Sequence, residues 1–314
     1  MNFSKLISVV LTFFAAVVLL AAELKVTPQQ PWQSVKTESG NGEFVIKYPG
    51  TGWPALSFTA PVMPGRHYQI SWQMKSSIAD TANPVQLAID TGAPMVYGYP
   101  VTGGWGSYSA FFFSDKSVTA KCRIFINPGP AKEMAVRNLK ITEVSPESFA
   151  ENLLPNGDFE ADQGGPVLWT KSYGTERYPA RIVENQDFLA GSRSLVINFA
   201  ATSANSEGLT SIYLPVLPGK KFELSFWAKA DRENVLNASA EIWSPVKHTG
   251  KHFYKTGSFK LSDNWRKYEV ILDIPANVAD YPDLQCRLIR LKLSGVKSAG
   301  YAVSVDNIVF RQIK

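Results

Sequence analysis

The chain has 314 residues, more than one hydrophobic core ordinarily serves, so two domains of ordinary size are expected. Hydrophobic residues are 45% and aromatic residues 12%, which excludes an intrinsically disordered chain. The net charge of +5 is spread along the sequence with no Lys/Arg block, which excludes a dedicated nucleic-acid surface.

Residues 1–22 carry one basic residue, Lys5, and then an apolar run from Leu6 to Ala22, after which charge returns at Glu23 and Lys25. This is the pattern of a secretory signal peptide cleaved after Ala22, with an uncleaved signal anchor as the alternative at this length. The mature chain is therefore expected outside the cytoplasm, in the periplasm, at the cell surface or secreted, with no membrane partner. The two cysteines, Cys122 in KCRIFI and Cys286 in QCRLIR, are too few for a disulfide scaffold. They read as buried free thiols at equivalent positions of two repeats.

VMPGRHYQISWQMK (62–75) aligns without a gap on VLPGKKFELSFWAK (216–229). Further on, Trp105 and Tyr108 match Trp265 and Tyr268, the two Cys strings follow, and VRNLKI (136–141) matches VDNIVF (305–310). A period of this length describes a duplicated folding unit rather than a solenoid repeat. The Pro/Ser/Glu-bearing stretch Thr142–Asn152 reads as the linker, giving domains at 23–146 and 150–314 after the signal peptide. Within each copy the apolar period is two. In KKFELSFWAKA, Phe222, Leu224, Phe226 and Ala228 share one face, and ASAEIW and KYEVILDI alternate likewise. The fold class expected is all-β, two tandem β-sandwiches.

The second copy opens with NLLPNGDFE (152–160), continues through GSRSLVI, LPGKKFELSFWAKA and NWRKYEVIL, and closes with VDNIVF. In this order these strings resemble the carbohydrate-binding modules of the CenC type (families four, nine and twenty-two), galactose-binding-like jelly rolls. The first copy matches only from Pro61 onward and reads as a diverged relative. The resemblance implies two jelly-roll sandwiches, reversible binding of a polysaccharide or oligosaccharide without bond cleavage, glycan-degrading or cell-surface proteins as further partners, and a structural calcium ion in the second domain. For that ion, Asp158 and Glu160 on the opening strand and Asp306 on the last strand are the expected ligands, helped by the GSRS turn. A reading in which Asp158 caps a turn and Asp306 is solvated competes with it. Arg137 occupies the position aligned with Asp306, so no such site is expected in the first domain.

Sugars are held by aromatic faces and by carboxylate, amide and guanidinium groups. The alternation places Trp227, Glu241 and Trp243 opposite the core, sharing one surface. Trp169, Tyr173 and Tyr178 are expected on a loop near it. Trp105 and Trp265, repeated in both copies, are expected in the cores, and His67, aligned with Lys221, is expected at the surface. No nucleophile elbow, zinc-protease, P-loop or dinucleotide motif occurs. His248 and His252 flank a glycine in a β context, which disfavours a zinc pair. A structural or adhesive surface protein and a jelly-roll lyase or hydrolase stay open as alternatives.

Overall fold

A computed structural model describes residues 23–24, 27–28, 35–37, 43–47, 55–76, 80–91, 95–101, 103–126, 133–148, 152–161, 166, 168–171, 180–199, 208–242, 253–278, 281–296 and 300–314. The signal sequence and its cleavage point, and His248 and His252, lie outside the described residues.

The first half contains β1 (Glu23–Leu24), β2 (Thr27–Pro28), β3 (Val35–Thr37), β4 (Phe44–Lys47), β5 (Ala55–Pro61), β6 (His67–Ser76), β7 (Asp80–Asp90), β8 (Met95–Val101), β9 (Gly106–Phe113), β10 (Thr119–Ile126) and β11 (Glu133–Val144). The second contains β12 (Trp169–Lys171), β13 (Ala180–Glu184), β14 (Arg193–Phe199), β15 (Gly208–Pro215), β16 (Lys221–Ala230), β17 (Asn234–Ile242), β18 (Phe253–Leu261), β19 (Arg266–Asp273), β20 (Asn277–Val278), β21 (Tyr281–Gln285), β22 (Leu288–Gly295) and β23 (Tyr301–Gln312). Every pairing is antiparallel, and no ladder joins the halves among the described residues. The orders are β3-β4-β11-β6-β9 and β2-β5-β10-β7-β8 in the first half, and β13-β14-β23-β16-β19 and β12-β15-β22-β17-β18 in the second. Apart from β1, which also pairs with β11, these are strand for strand the same two sheets, so the duplication seen in sequence is a duplication of topology, and the fold is two tandem jelly-roll sandwiches. The hairpin β20–β21, inserted between β19 and β22, belongs to the second copy alone.

Alternation builds the cores. Phe222, Leu224, Phe226 and Ala228 of β16 are all buried, as are Leu236, Ala238, Ala240 and Ile242 of β17, and their two sheets face each other across that layer. An aromatic trio ties the sheets together in each half. Trp72 stacks on Tyr108 at 5.7 Å and meets Tyr99 edge-on at 5.2 Å, while Phe226 stacks on Tyr268 at 5.8 Å and meets Phe259 edge-on at 5.3 Å. Tyr99 is fully buried in this trio.

The NLLPNGDFE segment is a turn clamped onto the last strand rather than an opening strand. Asn152 donates its side-chain amide to the Ile308 carbonyl and accepts from the Leu154 and Phe310 amides, while Ile308 N donates to the Gly157 carbonyl. At the matched positions Asn138 and Asn307, φ is 54° and 48°, and the β11–β6 and β16–β23 ladders shift register there. Asn tolerates this left-handed backbone, and the resulting bulge is one of the features the two copies share.

Both cysteines are buried free thiols, and burial pushes each up to about 12. Their equivalence does not hold. Val62 N bonds Val118 O and Val216 N bonds Arg287 O, so β10 and β22 start at Thr119 and Leu288. Counting along the strands, Cys122 corresponds to Leu291. Cys286 lies just before its strand, because the β20–β21 insertion carries the local likeness of the two strings out of register.

The halves meet along β9 and β15, with β8 against β12. Every residue of β15 is buried. At one end of this contact His67 is 5% exposed, its Nε2 lies 3.0 Å from the Arg287 carbonyl, and the Arg287 guanidinium sits 5.0 Å from the Phe113 ring. His67 is thus an interface residue, contrary to the surface position its alignment with Lys221 suggests. Burial, with the Arg287 charge adding to it, lowers its pKa to about 4.

Candidate functional site

The outer face of the β12-β15-β22-β17-β18 sheet carries two rows of polar side chains. Because β17 turns Leu236, Ala238, Ala240 and Ile242 inward, Asn237, Ser239 and Glu241 point out. The ladders place Glu241 opposite Arg290 and Arg290 opposite Tyr213, giving one row across three strands. Ser239, Lys292, Thr210 and Thr170 form the next row. Arg290 Nε donates to Glu241 Oε2 at 2.5 Å, and its guanidinium lies 5.2 Å from the Tyr213 ring. The Thr170 and Thr210 hydroxyls are 3.1 Å apart, and Ser258 Oγ donates to Asn237 Oδ1 at 2.6 Å.

Burial decides the electrostatics of this face. Glu241 is 2% exposed and Tyr213 9%, whereas Arg290, Lys292, Asn237 and Ser239 are half-buried. Burial pushes the Tyr213 hydroxyl up to about 12, so it stays protonated as a donor. The Lys292 ammonium is lowered by burial, with Glu241 acting against that shift. A carboxylate, a guanidinium, an ammonium, hydroxyls and an amide thus lie on one sheet face, a set able to bond a run of hydroxyl groups. Of these residues only Glu241 was selected in the sequence. The signal for the others was present in RLIRLKLS, where charged Arg290 and Lys292 alternate with buried Ile289, Leu291 and Leu293.

Trp227 does not share this surface. It lies half-buried on β16, which belongs to the opposite sheet, so it and Glu241 point to opposite sides of the sandwich. Alternation assigns each residue to the inside or outside of its own sheet, but not to one of the two outsides. Trp169 is 2% exposed and packs in the core at the start of β12, where its indole fills the space beneath the sheet instead of standing on a loop. Trp243, Tyr173 and Tyr178 lie outside the described residues.

The expected metal ligands are each engaged by hydrogen-bond donors. Asp158 is exposed and its Oδ1 accepts from Glu160 N at 3.4 Å, the turn-capping alternative. Glu160 accepts from Ser192 N at 2.8 Å, Arg193 N at 2.9 Å and Ser192 Oγ at 2.9 Å. Asp306 is fully buried and accepts from Leu189 N at 3.0 Å, Ala190 N at 3.3 Å and Asn307 N at 2.7 Å. The 189–193 turn therefore aims N–H groups at both carboxylates, where calcium would need carbonyl oxygens. Among the described residues no group of three or more His, Cys, Asp or Glu is placed to hold a metal. The hydrogen bond from Ser192 N holds Glu160 below the usual carboxylate range, and burial raises Asp306.

Trp105 and Trp265 are also not core residues. Each is half-buried on an outer sheet face beneath a cation: Arg137 at 3.9 Å and Lys75 at 4.7 Å from Trp105, Lys229 at 5.5 Å from Trp265. Lys75 and Lys229 are matched repeat positions, so both copies keep a cation–π contact rather than a buried indole.

No protein-family model matches the chain, and no curated protein matches it. Among solved structures the chain is similar to the N-terminal CBM22-1–CBM22-2 tandem domain of Paenibacillus barcinonensis Xyn10C, at 15% identity and TM-score 0.38, covering 93% of this chain and 98% of that one. It is similar to a CBM4 structure at 15% identity and TM-score 0.36, covering 51% of this chain and 99% of that one. It is likewise similar to TmCBM61 in complex with beta-1,4-galactotriose, at 14% identity and TM-score 0.34, covering 52% and 99%. Likenesses at this level assign no ligand.

Proposed function

We propose that the protein is an exported, non-catalytic carbohydrate-binding protein, and that the outer face of the β17 sheet in its second domain holds the glycan. The observation that carries this reading is the Glu241–Arg290–Tyr213 row with its Ser239–Lys292–Thr210 neighbour. Both rows run across the strands and mix groups that donate with groups that accept, which suits a chain of sugar hydroxyls. Export is supported by the Leu6–Ala22 run. The non-catalytic reading is supported by the row itself. Its carboxylate, Glu241, is engaged by Arg290 Nε rather than left free. Glycan-degrading or cell-surface proteins are the further partners this reading implies.

The test is retention of the intact chain on insoluble polysaccharides and a glycan array. The comparison is with a Glu241→Gln, Arg290→Gln double variant, which removes both members of the ion pair together. Retention lost at least tenfold in a variant with an unchanged melting temperature is the expected result. Trp227→Ala should leave retention intact; its loss there would move the site to the opposite face. An intact chain that captures no glycan overturns the proposal, and release of reducing ends from a bound polysaccharide overturns its non-catalytic part.

A further inference from the structure

A depression of about 360 Å³ opens on the outer face of the β16 sheet, on the other side of the same sandwich. Its floor is aliphatic: Val183 of β13, Val196 of β14 and Ala302 of β23 line it together with Ala230. One wall is a fixed polar network. The Lys229 ammonium pairs with the Asp187 carboxylate, which also accepts from Ser304 Oγ at 2.5 Å, while Ser194 Oγ holds the Asp187 carbonyl at 2.8 Å. Burial raises the Asp187 carboxyl, but the Lys229 and Ser304 hydrogen bonds outweigh it and leave the group below its ordinary range. Around the rim stand Arg181 and Asn198, with Asp231 and Asp263 also lining the opening.

The charges decide what fits. Lys229 and Asp187 cancel within the wall, Asp231 pairs with Arg232 at 3.6 Å, and the Arg181 guanidinium stands against Asp263. An entering anion meets Asp187 and Asp263, an entering cation meets Lys229 and Arg181, and neither finds a pole of its own. A neutral polyhydroxylated ring satisfies both kinds of group, since carboxylates accept from its hydroxyls and the ammonium, guanidinium and Asn198 amide donate to them. The Val and Ala floor receives its C–H face. The volume lies at the small end of the range for ligand sites, about 300–1,000 Å³, which admits one ring and not an extended chain.

We propose that this depression is a second binding site, taking a single neutral sugar residue, separate from the β17-sheet face. It rests on the glycan-binding reading only for the class of ligand. The experiment uses the intact chain with free glucose, galactose, mannose and xylose, followed by saturation-transfer NMR, in parallel with polysaccharide retention. Asn198→Trp fills the opening from an exposed strand position, and Asp187→Ala removes the central acceptor.

The expected result is a monosaccharide signal that both variants reduce at least tenfold while melting temperature and polysaccharide retention are kept. The Glu241→Gln, Arg290→Gln variant should show the reverse, losing retention and keeping the monosaccharide signal. If Asn198→Trp does not fold, Asp187→Ala decides alone. A chain that binds none of the four sugars, or a signal undiminished in the folded variants, overturns the second site. Retention on polysaccharide without any monosaccharide signal overturns it and leaves the β17-sheet reading standing, and a monosaccharide signal without retention does the opposite.

Discussion

Gly157 illustrates how a single residue fixes the second domain. A Cβ placed there would lie 2.0 Å from the Ile308 carbonyl oxygen, which is backbone of the last strand and cannot step aside. Gly157→Ala should therefore cost about 3 kcal/mol by forcing the turn off β23, read as a lower urea midpoint with an unchanged slope. The glycine of NLLPNGDFE was visible in the sequence, but its reason was not, because the contact spans about 150 residues of chain. The same holds for the carboxylates of that motif. Glu160 and Asp306 both meet the turn at residues 189–193 and Asp158 does not, and the N–H groups that this turn supplies are backbone groups, which side-chain identity does not reveal. Accordingly, chelation with EGTA should leave the melting temperature unchanged within about 1 °C. A fall of several degrees would mean that a cation replaces those N–H bonds.

At the level of strands, the two aromatic trios make a comparison inside one molecule. Trp72 and Phe226 occupy the same repeat position, and each stacks on a Tyr of the neighbouring strand while meeting a ring of the facing sheet edge-on. The Trp72 indole N–H is buried without a hydrogen-bond partner. Trp72→Phe discards that unsatisfied donor along with some apolar area, and should cost about 1 kcal/mol. Trp72→Ala, which empties the trio, should cost about 3–5 kcal/mol. Equal losses in the two variants by chemical denaturation would contradict this account. Strand identity and inward register were legible from period-two alternation, as β16 and β17 demonstrate. Which sheet a strand joins was not, and Trp227 and Glu241 came to be assigned to one surface for that reason. The displaced cysteine equivalence has a similar origin. KCRIFI and QCRLIR share only Cys-Arg identically, and the hairpin inserted before the second string displaces it from the register that the hydrogen bonds of Val62 and Val216 fix.

For the whole molecule, the contact between the halves was not legible at all, since nothing in a pattern of alternation says which outward faces are covered. His67 is the clearest case. Its folded pKa of about 4 lies below the value of 6.5 for the unfolded chain, so its contribution to stability is complete above pH 6.5 and falls away as the pH drops towards 4. The charged group facing it is the Arg287 guanidinium, which adds to the penalty for protonation. The loss over that window is about 3 kcal/mol, from about 1.4 kcal/mol per pKa unit. His67→Gln keeps a side-chain donor without a titrating ring, so the difference in unfolding free energy between native and variant chains should shrink by that amount from pH 7 to pH 4. A constant difference would place His67 outside the interface.

The buried strand β15 has a last consequence. Each of its residues is buried, and β9 of the first half packs against it. Severing the chain in the connector after Val144 would leave each half with a bare patch shaped to the other. The two pieces, produced separately and mixed, should find one another and restore the original partnership.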